Sequence, residues 1–172
     1  MVALTGLAMA TPVSAKEIAQ ATGSSQAVVV TRLSLVKVDD LKFGQIVAGT
    51  TAGTIVINPD GTRIRTGGIL AIGSGFSPAN FAGYGFRNQT VQISVGSNTS
   101  TIRRVGGTET MQFDTFTIGS APPTTLTTTP RSFRINSTTG MYAFNLGATL
   151  RVGARQASGM YTGTFSVTVN YL

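Results

Sequence analysis

Six carboxylates are the main candidates for acid–base chemistry in this sequence, because the chain contains no His and no Cys. They are Glu17, Asp39, Asp40, Asp60, Glu109 and Asp114. Asp39 and Asp40 are adjacent, so in a strand their side chains point to opposite faces and mark a strand end rather than an acid–base pair. A glycosidase needs two carboxylates across a cleft, and calcium needs several oxygen ligands from a dedicated loop. The sequence therefore predicts a protein that is not an enzyme and that has no catalytic residues, no metal site and no cofactor.

The absence of His and Cys excludes further classes of site. Neither a Ser-His-Asp triad nor a Cys-His pair can form, and zinc, copper and haem lose their usual ligands. The net charge is +7, from 13 Lys and Arg against 6 Asp and Glu. The basic residues are scattered, with no basic stripe that also carries aromatic side chains. We therefore expect no nucleic-acid partner.

Residues 1–15, "MVALTGLAMATPVSA", have the pattern of the back half of a secretory signal peptide. An apolar stretch is followed by Pro12 and by the small residues Val13, Ser14 and Ala15 at the cleavage positions. The positively charged start of such a leader is missing, so we expect the true start upstream and a mature chain from Lys16. The apolar stretch is too short to span a membrane, and four Tyr with no Trp give few interfacial anchors. We expect an exported protein that is not embedded in a membrane. The alternative to a signal peptide is that residues 1–15 are an ordinary N-terminal segment.

The remainder of the chain consists of short β-prone runs separated by turn signals. About ten to twelve such runs occur, which is typical of an antiparallel sandwich or barrel. The strongest hairpin signal is "GTIVINPDGTRIRTGG", with the turn at residues 58–61. The run "QTVQISVG" places Val91, Ile93 and Val95 on one face. The stretch "FSPANFAGYGF" holds Phe76, Phe81, Tyr84 and Phe86; we interpret it as a loop that plugs the core, and a glycan-stacking surface is the alternative.

The segment "ASGMYTGTFSVTVNYL", residues 157–172, alternates apolar and polar side chains and has a known counterpart. It resembles the C-terminal strand of pilins assembled by the chaperone–usher pathway. Those strands carry a penultimate Tyr, here Tyr171, a Gly fourteenth from the end, here Gly159, and apolar residues between them. The stretches "LKFGQIVAGTTAGTIVINPDGTR" and "GATLRVGARQASGMYTGTFSVTVNY" are similar to a broader group of pilin-like secreted proteins of Gram-negative bacteria. Many pilins have a disulfide between their first two strands. This chain departs from that pattern, because it contains no Cys.

The resemblance implies an all-β fold, an immunoglobulin-like, pilin-type antiparallel β-sandwich that lacks one strand. In pilins a hydrophobic groove lies beside the C-terminal strand. A periplasmic chaperone covers it first, and after passage through an outer-membrane usher the N-terminal extension of the next subunit fills it. On this basis residues 32–172 form the domain. The acceptor groove is expected to include Gly159, Tyr161, Phe165, Val167, Val169 and Tyr171.

The donor strand is expected within an N-terminal extension, residues 16–31. The residues assigned to it are Ile18, Gly23, Ala27, Val28, Val29 and Val30. The alternation changes phase after Val30, since Val28 and Val30 share one face and Leu33 and Leu35 share the other. That change separates a donor strand from the first strand of the domain. The alternative is one long strand over residues 27–38 in a complete monomer.

The function implied by the resemblance is structural. We expect an exported subunit of an extracellular fimbria or pilus-like filament at the cell surface. Copies of the chain are expected to associate head-to-tail and non-covalently by donor-strand complementation. Such a contact does not close into a ring, so further copies can add and a filament grows. The alternative is a complete secreted β-sandwich that binds a glycan or a cell-surface partner.

Overall fold

The structure, a computed structural model, describes residues 34–119 and 122–172. Twelve β-strands and no helix occur in these residues, and every strand pairing is antiparallel. The prediction of an all-β, sandwich-like antiparallel fold is confirmed. The strands are β1 Ser34–Asp39, β2 Gln45–Ile57, β3 Arg63–Ile72, β4 Ala79–Tyr84, β5 Thr90–Val95, β6 Thr99–Arg104, β7 Thr110–Ile118, β8 Thr124–Thr125, β9 Arg131–Arg134, β10 Met141–Val152, β11 Tyr161–Thr162 and β12 Val167–Tyr171.

The larger sheet has nine strands and is organised around β10. The first half of β10 pairs with β4, and its second half pairs with β2 along the same edge. The opposite edge of β10 pairs with β7, which continues through β6 to β11. β1 extends the sheet beyond β4, and β3 extends it beyond β2. The sheet therefore divides beside β10 into a β4–β1 branch and a β2–β3 branch.

The smaller sheet contains three strands in the order β12-β5-β9. Val91, Ile93 and Val95 of β5 are buried, as the alternation predicts. β12 pairs with β5 in a register that places Val169 opposite Ile93. Apolar residues of the two strands thus share the inner face of this sheet.

The predicted hairpin is present as β2 and β3. The Asn58 amide donates to the Thr62 carbonyl at 2.9 Å, and Gly61 takes a positive φ of 86°. The Asp60 carboxylate accepts hydrogen bonds from the Thr62 amide and hydroxyl at 2.8 and 2.7 Å. Both strands run further than the sequence predicts, because β2 continues across an irregularity between Ala48 and Gly53.

The core lies between the inner faces of the two sheets, and aromatic rings occupy its centre. Phe116 is 1% exposed and lies 5.6 Å from the Phe113 ring, and Phe81 stacks on Phe144 at 5.3 Å. No polar or charged residue is buried in the part of the chain that the structure describes. Apolar burial is therefore the dominant force that holds the sheets together.

The interpretation of "FSPANFAGYGF" as a loop is wrong. Residues 79–84 form β4, a strand of the larger sheet whose Phe81 is 7% exposed and inward. Small residues flank Phe81, and they suit a strand that is paired on both edges as well as they suit a loop. Phe76 packs beneath the Arg63 guanidinium at 4.1 Å. Tyr84 and Phe86 are exposed.

The C-terminal segment also differs from its prediction, because it forms two strands where one was expected. β11 pairs with β6 of the larger sheet, and β12 pairs with β5 of the smaller sheet. Residues 163–166 cross between the sheets. A side chain at Gly163 would place its Cβ 2.4 Å from the Thr101 carbonyl oxygen, so only glycine fits where the chain leaves β6.

Truncation of the central ring tests the importance of this core. We expect Phe116→Ala to lower the free energy of unfolding by about 3–5 kcal/mol, because the change leaves a cavity among rings that cannot collapse fully. Phe86→Ala is the matched control, since Phe86 is 47% exposed, and it should change stability by less than about 0.5 kcal/mol. Urea unfolding followed by circular dichroism measures both values; equal losses would contradict this assignment of the core.

Candidate functional site: an open groove beside the C-terminal segment

A groove of about 990 Å³ lies between residues 40–48 and residues 156–165. The first wall is the whole β1–β2 connection, residues 40–44, and the start of β2. The second wall is the loop before β11, β11 itself and the crossing segment. Ile102, Met111, Phe113, Leu150 and Val152 form the floor. We call this feature the groove.

The interior of the groove is apolar and largely aromatic. Phe165 projects from the second wall and lies 6.0 Å from Phe113 and 5.5 Å from Phe116. Phe43 projects from the first wall and lies 5.8 Å from the same Phe113 ring. The contacts with Phe113 are edge-to-face and the contact with Phe116 is tilted, and together they hold the rings in fixed positions. The groove therefore presents a rigid hydrophobic floor to whatever occupies it.

The first wall has an unpaired backbone edge. Residues 45–48 of β2 pair with β3 along one side. β10 pairs only with the later part of β2, from Gly53 to Ile57, and the Arg155 amide donates to the Gly49 carbonyl at 2.8 Å. Among residues 34–119 and 122–172, no strand pairs with the groove side of residues 45–48.

The second wall has unpaired backbone as well. Tyr161 and Thr162 pair with β6 on one side, and no strand in the described part of the chain pairs with their other side. β12 continues this edge, because β5 is its one partner strand in that same part. The groove is thus flanked by two sets of backbone donors and acceptors that a further strand could pair with.

A network of hydrogen bonds fixes the loop that precedes β11. The Tyr161 hydroxyl donates to the Ala157 carbonyl at 2.8 Å, and the Gln156 side-chain amide donates to the Tyr161 hydroxyl at 2.8 Å. Gly159 passes over Arg104, where a Cβ would lie 3.0 Å from Cδ of that arginine. These contacts hold Tyr161 against β6 and fix the loop as part of the second wall.

Several carboxylates of the described residues are engaged in local hydrogen bonds. Arg104 donates to both oxygens of Glu109 at 2.7 and 3.0 Å, and the hydrogen bond from Arg104 lowers the pKa of Glu109 to about 2. Lys37 hydrogen-bonds to Asp40 and lowers the pKa of that carboxyl. Hydrogen bonds from Thr62 lower the pKa of Asp60.

Asp114 is the most enclosed carboxylate of the described residues that carry a shifted pKa. Its burial raises the pKa, but hydrogen bonds from Arg151, at 2.5 and 3.2 Å, and from Thr115 outweigh burial and leave the pKa lowered. Within the described ranges, no cluster of three or more His, Cys, Asp or Glu residues could hold a metal ion. The carboxylates therefore take part in ion pairs and turns of the scaffold.

The structure brings the six predicted acceptor residues together along one segment but divides them between two environments. Gly159, Tyr161 and Phe165 line the groove. Val167, Val169 and Tyr171 belong to β12, where they are half-buried and pack against the core. The six predicted donor residues lie outside the described residues, as do the leader at 1–15 and the extension at 16–31.

Sequence reasoning missed the whole first wall of the groove. The sequence pattern predicts a strand end at Asp39 and Asp40 and indicates no functional role for residues 41–48. The available signal was Phe43 and Ile46 in a short apolar run that is followed by small residues, but this pattern fits any edge of a sheet.

A family model described as "Domain of unknown function (DUF4402)" matches residues 33–171, so the chain belongs to the DUF4402 family. No curated protein and no solved structure matches the chain. The described residues contain no helix with the length and apolar character needed to cross a membrane.

The Arg104–Glu109 pair predicts a defined pH dependence of stability. The folded-state pKa of Glu109 is about 2, below its ordinary value of 4.5, so the pair stabilises the fold fully above about pH 4.5. This contribution is lost as the pH falls from about 4.5 to about 2. We expect the difference in unfolding free energy between wild type and Glu109→Gln to shrink over this interval.

Urea unfolding at several pH values measures that difference. Thr110→Val is a control on the neighbouring exposed position, and it removes no charge. A wild-type-minus-variant difference that stays constant from pH 5 to pH 2 would contradict the role of the ion pair.

Proposed function

We propose that this DUF4402-family domain, with its open apolar groove, is a structural subunit of an extracellular bacterial filament. In this proposal residues 16–31 of one copy occupy the groove of the next copy as an added β-strand. The observation that carries the proposal is the pair of unpaired backbone edges, at residues 45–48 and 161–162, on either side of a hydrophobic floor.

The chemistry of the groove suits the apolar part of the extension. The floor and walls are formed mainly by aliphatic and aromatic side chains, and the charged members of the lining, Asp40 and Lys42, belong to its first wall. Ala27–Val30 is the most apolar stretch of residues 16–31. Burial of each valine contributes roughly 1.5–3 kcal/mol, and pairing with the two backbone edges fixes the register.

The lengths are compatible. Residues 40–48 of the first wall span about 30 Å when extended, and residues 16–31 span about 53 Å, at about 3.3 Å per residue. The extension can therefore cover the groove and continue along the free edge of β12. Val167, Val169 and Tyr171 of β12 would then pack against the inner face of the added strand.

Assembly through a donor strand gives a head-to-tail contact. Each copy offers one groove and one extension, so the interaction does not close on itself and builds a filament. The resemblance to chaperone–usher pilins supplies the rest of the proposal: export to the periplasm, cover by a chaperone, passage through an usher and display at the cell surface.

The alternative, a complete glycan-binding sandwich, has less support from the geometry. It requires the four aromatic residues of "FSPANFAGYGF" to form a stacking surface. Phe81 is inward and Phe76 is covered by Arg63, which leaves Tyr84 and Phe86 exposed. We therefore propose the filament subunit alone.

Peptide binding tests the groove directly. We expect a chain that begins at Arg32 to bind a synthetic peptide of residues 16–31, measured by fluorescence anisotropy. Ile46→Asp should weaken this binding at least about 100-fold, because it places an unpaired carboxylate in the apolar interior. Val105→Asp is the matched control; Val105 is exposed in the β6–β7 turn, outside the groove, and its variant should bind as wild type does.

Electron microscopy of the chain from Lys16 tests the assembly. Filaments are expected from this chain and not from the one that begins at Arg32. The donor assignment is wrong if the shorter chain still forms filaments, or if equal peptide binding is seen in Ile46→Asp and in wild type.

A further inference from the structure

Outward-facing residues of this domain are polar on most strands. On β5, β6, β12 and residues 110–113 of β7, the outer positions alternate with buried or half-buried ones. These outer residues are Thr90, Gln92, Ser94, Thr99, Thr101, Arg103, Thr110, Gln112, Thr168 and Asn170. Such a surface is expected on the face of a sheet that water covers.

The β2–β3 hairpin departs from this rule beside the groove. Val47 is 50% exposed and lies directly opposite Leu70, which is 49% exposed. Ile72, 41% exposed, follows two residues later on β3 and shares the same face. We call these three residues the β2–β3 patch. Contiguous exposed apolar side chains of this kind mark interaction surfaces more often than isolated ones do.

The patch borders the groove along its first wall. Residues 45–48 contribute Ile46 and Ala48 to the core side, and the same four residues line the groove. Val47 lies between them and projects to the outer face. The patch and the groove are therefore two faces of one short stretch of β2.

The length of the chain before β1 indicates what covers the patch. Two residues, Arg32 and Leu33, separate the extension at 16–31 from β1, which begins at Ser34. Two to three residues span at most about 10 Å. A domain whose extension fills the groove must therefore lie within about 10 Å of the groove, close enough to contact its rim.

We infer that the β2–β3 patch is a second contact between copies of this chain, covered by the domain whose extension occupies the adjacent groove. This inference rests on the proposed function. The patch adds buried apolar area to the strand contact and restricts the angle between successive domains. It also explains why aliphatic residues occupy outer positions here, where polar ones are found on β5, β6, β12 and the first part of β7.

Charge substitution at the patch separates this contact from strand insertion. In the chain that begins at Lys16, we expect Leu70→Lys to reduce the stability of the filament. The measurement is the release of subunits on dilution, which should be at least about tenfold faster than in wild type. In the chain from Arg32, the same substitution should leave binding of the 16–31 peptide unchanged. Ile72→Lys provides a second variant, and thermal unfolding verifies that both variants fold.

Ile64→Lys is the matched control. Ile64 lies on the same strand and the same outer face and is 52% exposed. It is six residues from Leu70, about 20 Å along β3, so its variant should release subunits at the wild-type rate. Equal release by Leu70→Lys and wild type overturns the inference, and so does equal acceleration by Leu70→Lys and Ile64→Lys.

The two proposals can fail separately. Loss of peptide binding in Leu70→Lys would show that the residue acts through the groove, which overturns a separate contact. Failure of the unsubstituted protein both to bind the peptide and to self-associate overturns both proposals. Self-association that needs Leu70 but persists without residues 16–31 retains the patch and removes the donor strand.

Discussion

Phe165 connects the two sheets, and the arrangement of the groove depends on its contacts. It lies in the crossing segment between β11 and β12, with Phe113 at 6.0 Å, Phe116 at 5.5 Å and Phe81 at 6.4 Å. These rings belong to strands of the larger sheet, whereas the residues after Phe165 pair with β5 of the smaller sheet. Packing of this half-buried ring, together with the close approach of Gly163 to Thr101, therefore fixes where the chain leaves one sheet and joins the other. That position places β11 and β12 along one open edge.

The strand content could be predicted from sequence because alternation and turn chemistry are local signals. Val91, Ile93 and Val95 are inward as predicted, and the predicted turn at residues 58–61 is present, with Gly61 at a positive φ and the Asp60 carboxylate bonded to the Thr62 amide. β4 could not be recognised in the same way. Its small residues reflect pairing with β1 and β10, partners that are distant in the sequence.

The groove itself was only half predictable. The second wall follows from the pattern at Tyr161 and Phe165, but the division of this segment into two strands depends on Gly163 and on its close approach to Thr101. The first wall requires knowledge that β10 pairs with β2 only from Gly53 onward. No periodicity in residues 40–48 carries that information, since it arises from where a third strand stops.

The walls of the groove are held apart by the interactions that stabilise the domain. Residues 45–48 are fixed by pairing with β3, and the Arg155 amide donates a hydrogen bond to the next carbonyl, that of Gly49. The opposite wall is fixed by pairing of β11 with β6 and by the Tyr161 hydroxyl bond to Ala157. Collapse of the groove would break these hydrogen bonds and would disturb the contacts of Phe165, each at a cost in free energy. In the proposed function, an added strand pairs with free backbone without breaking any of these bonds, and for this reason we propose a strand as the occupant and not a small ligand.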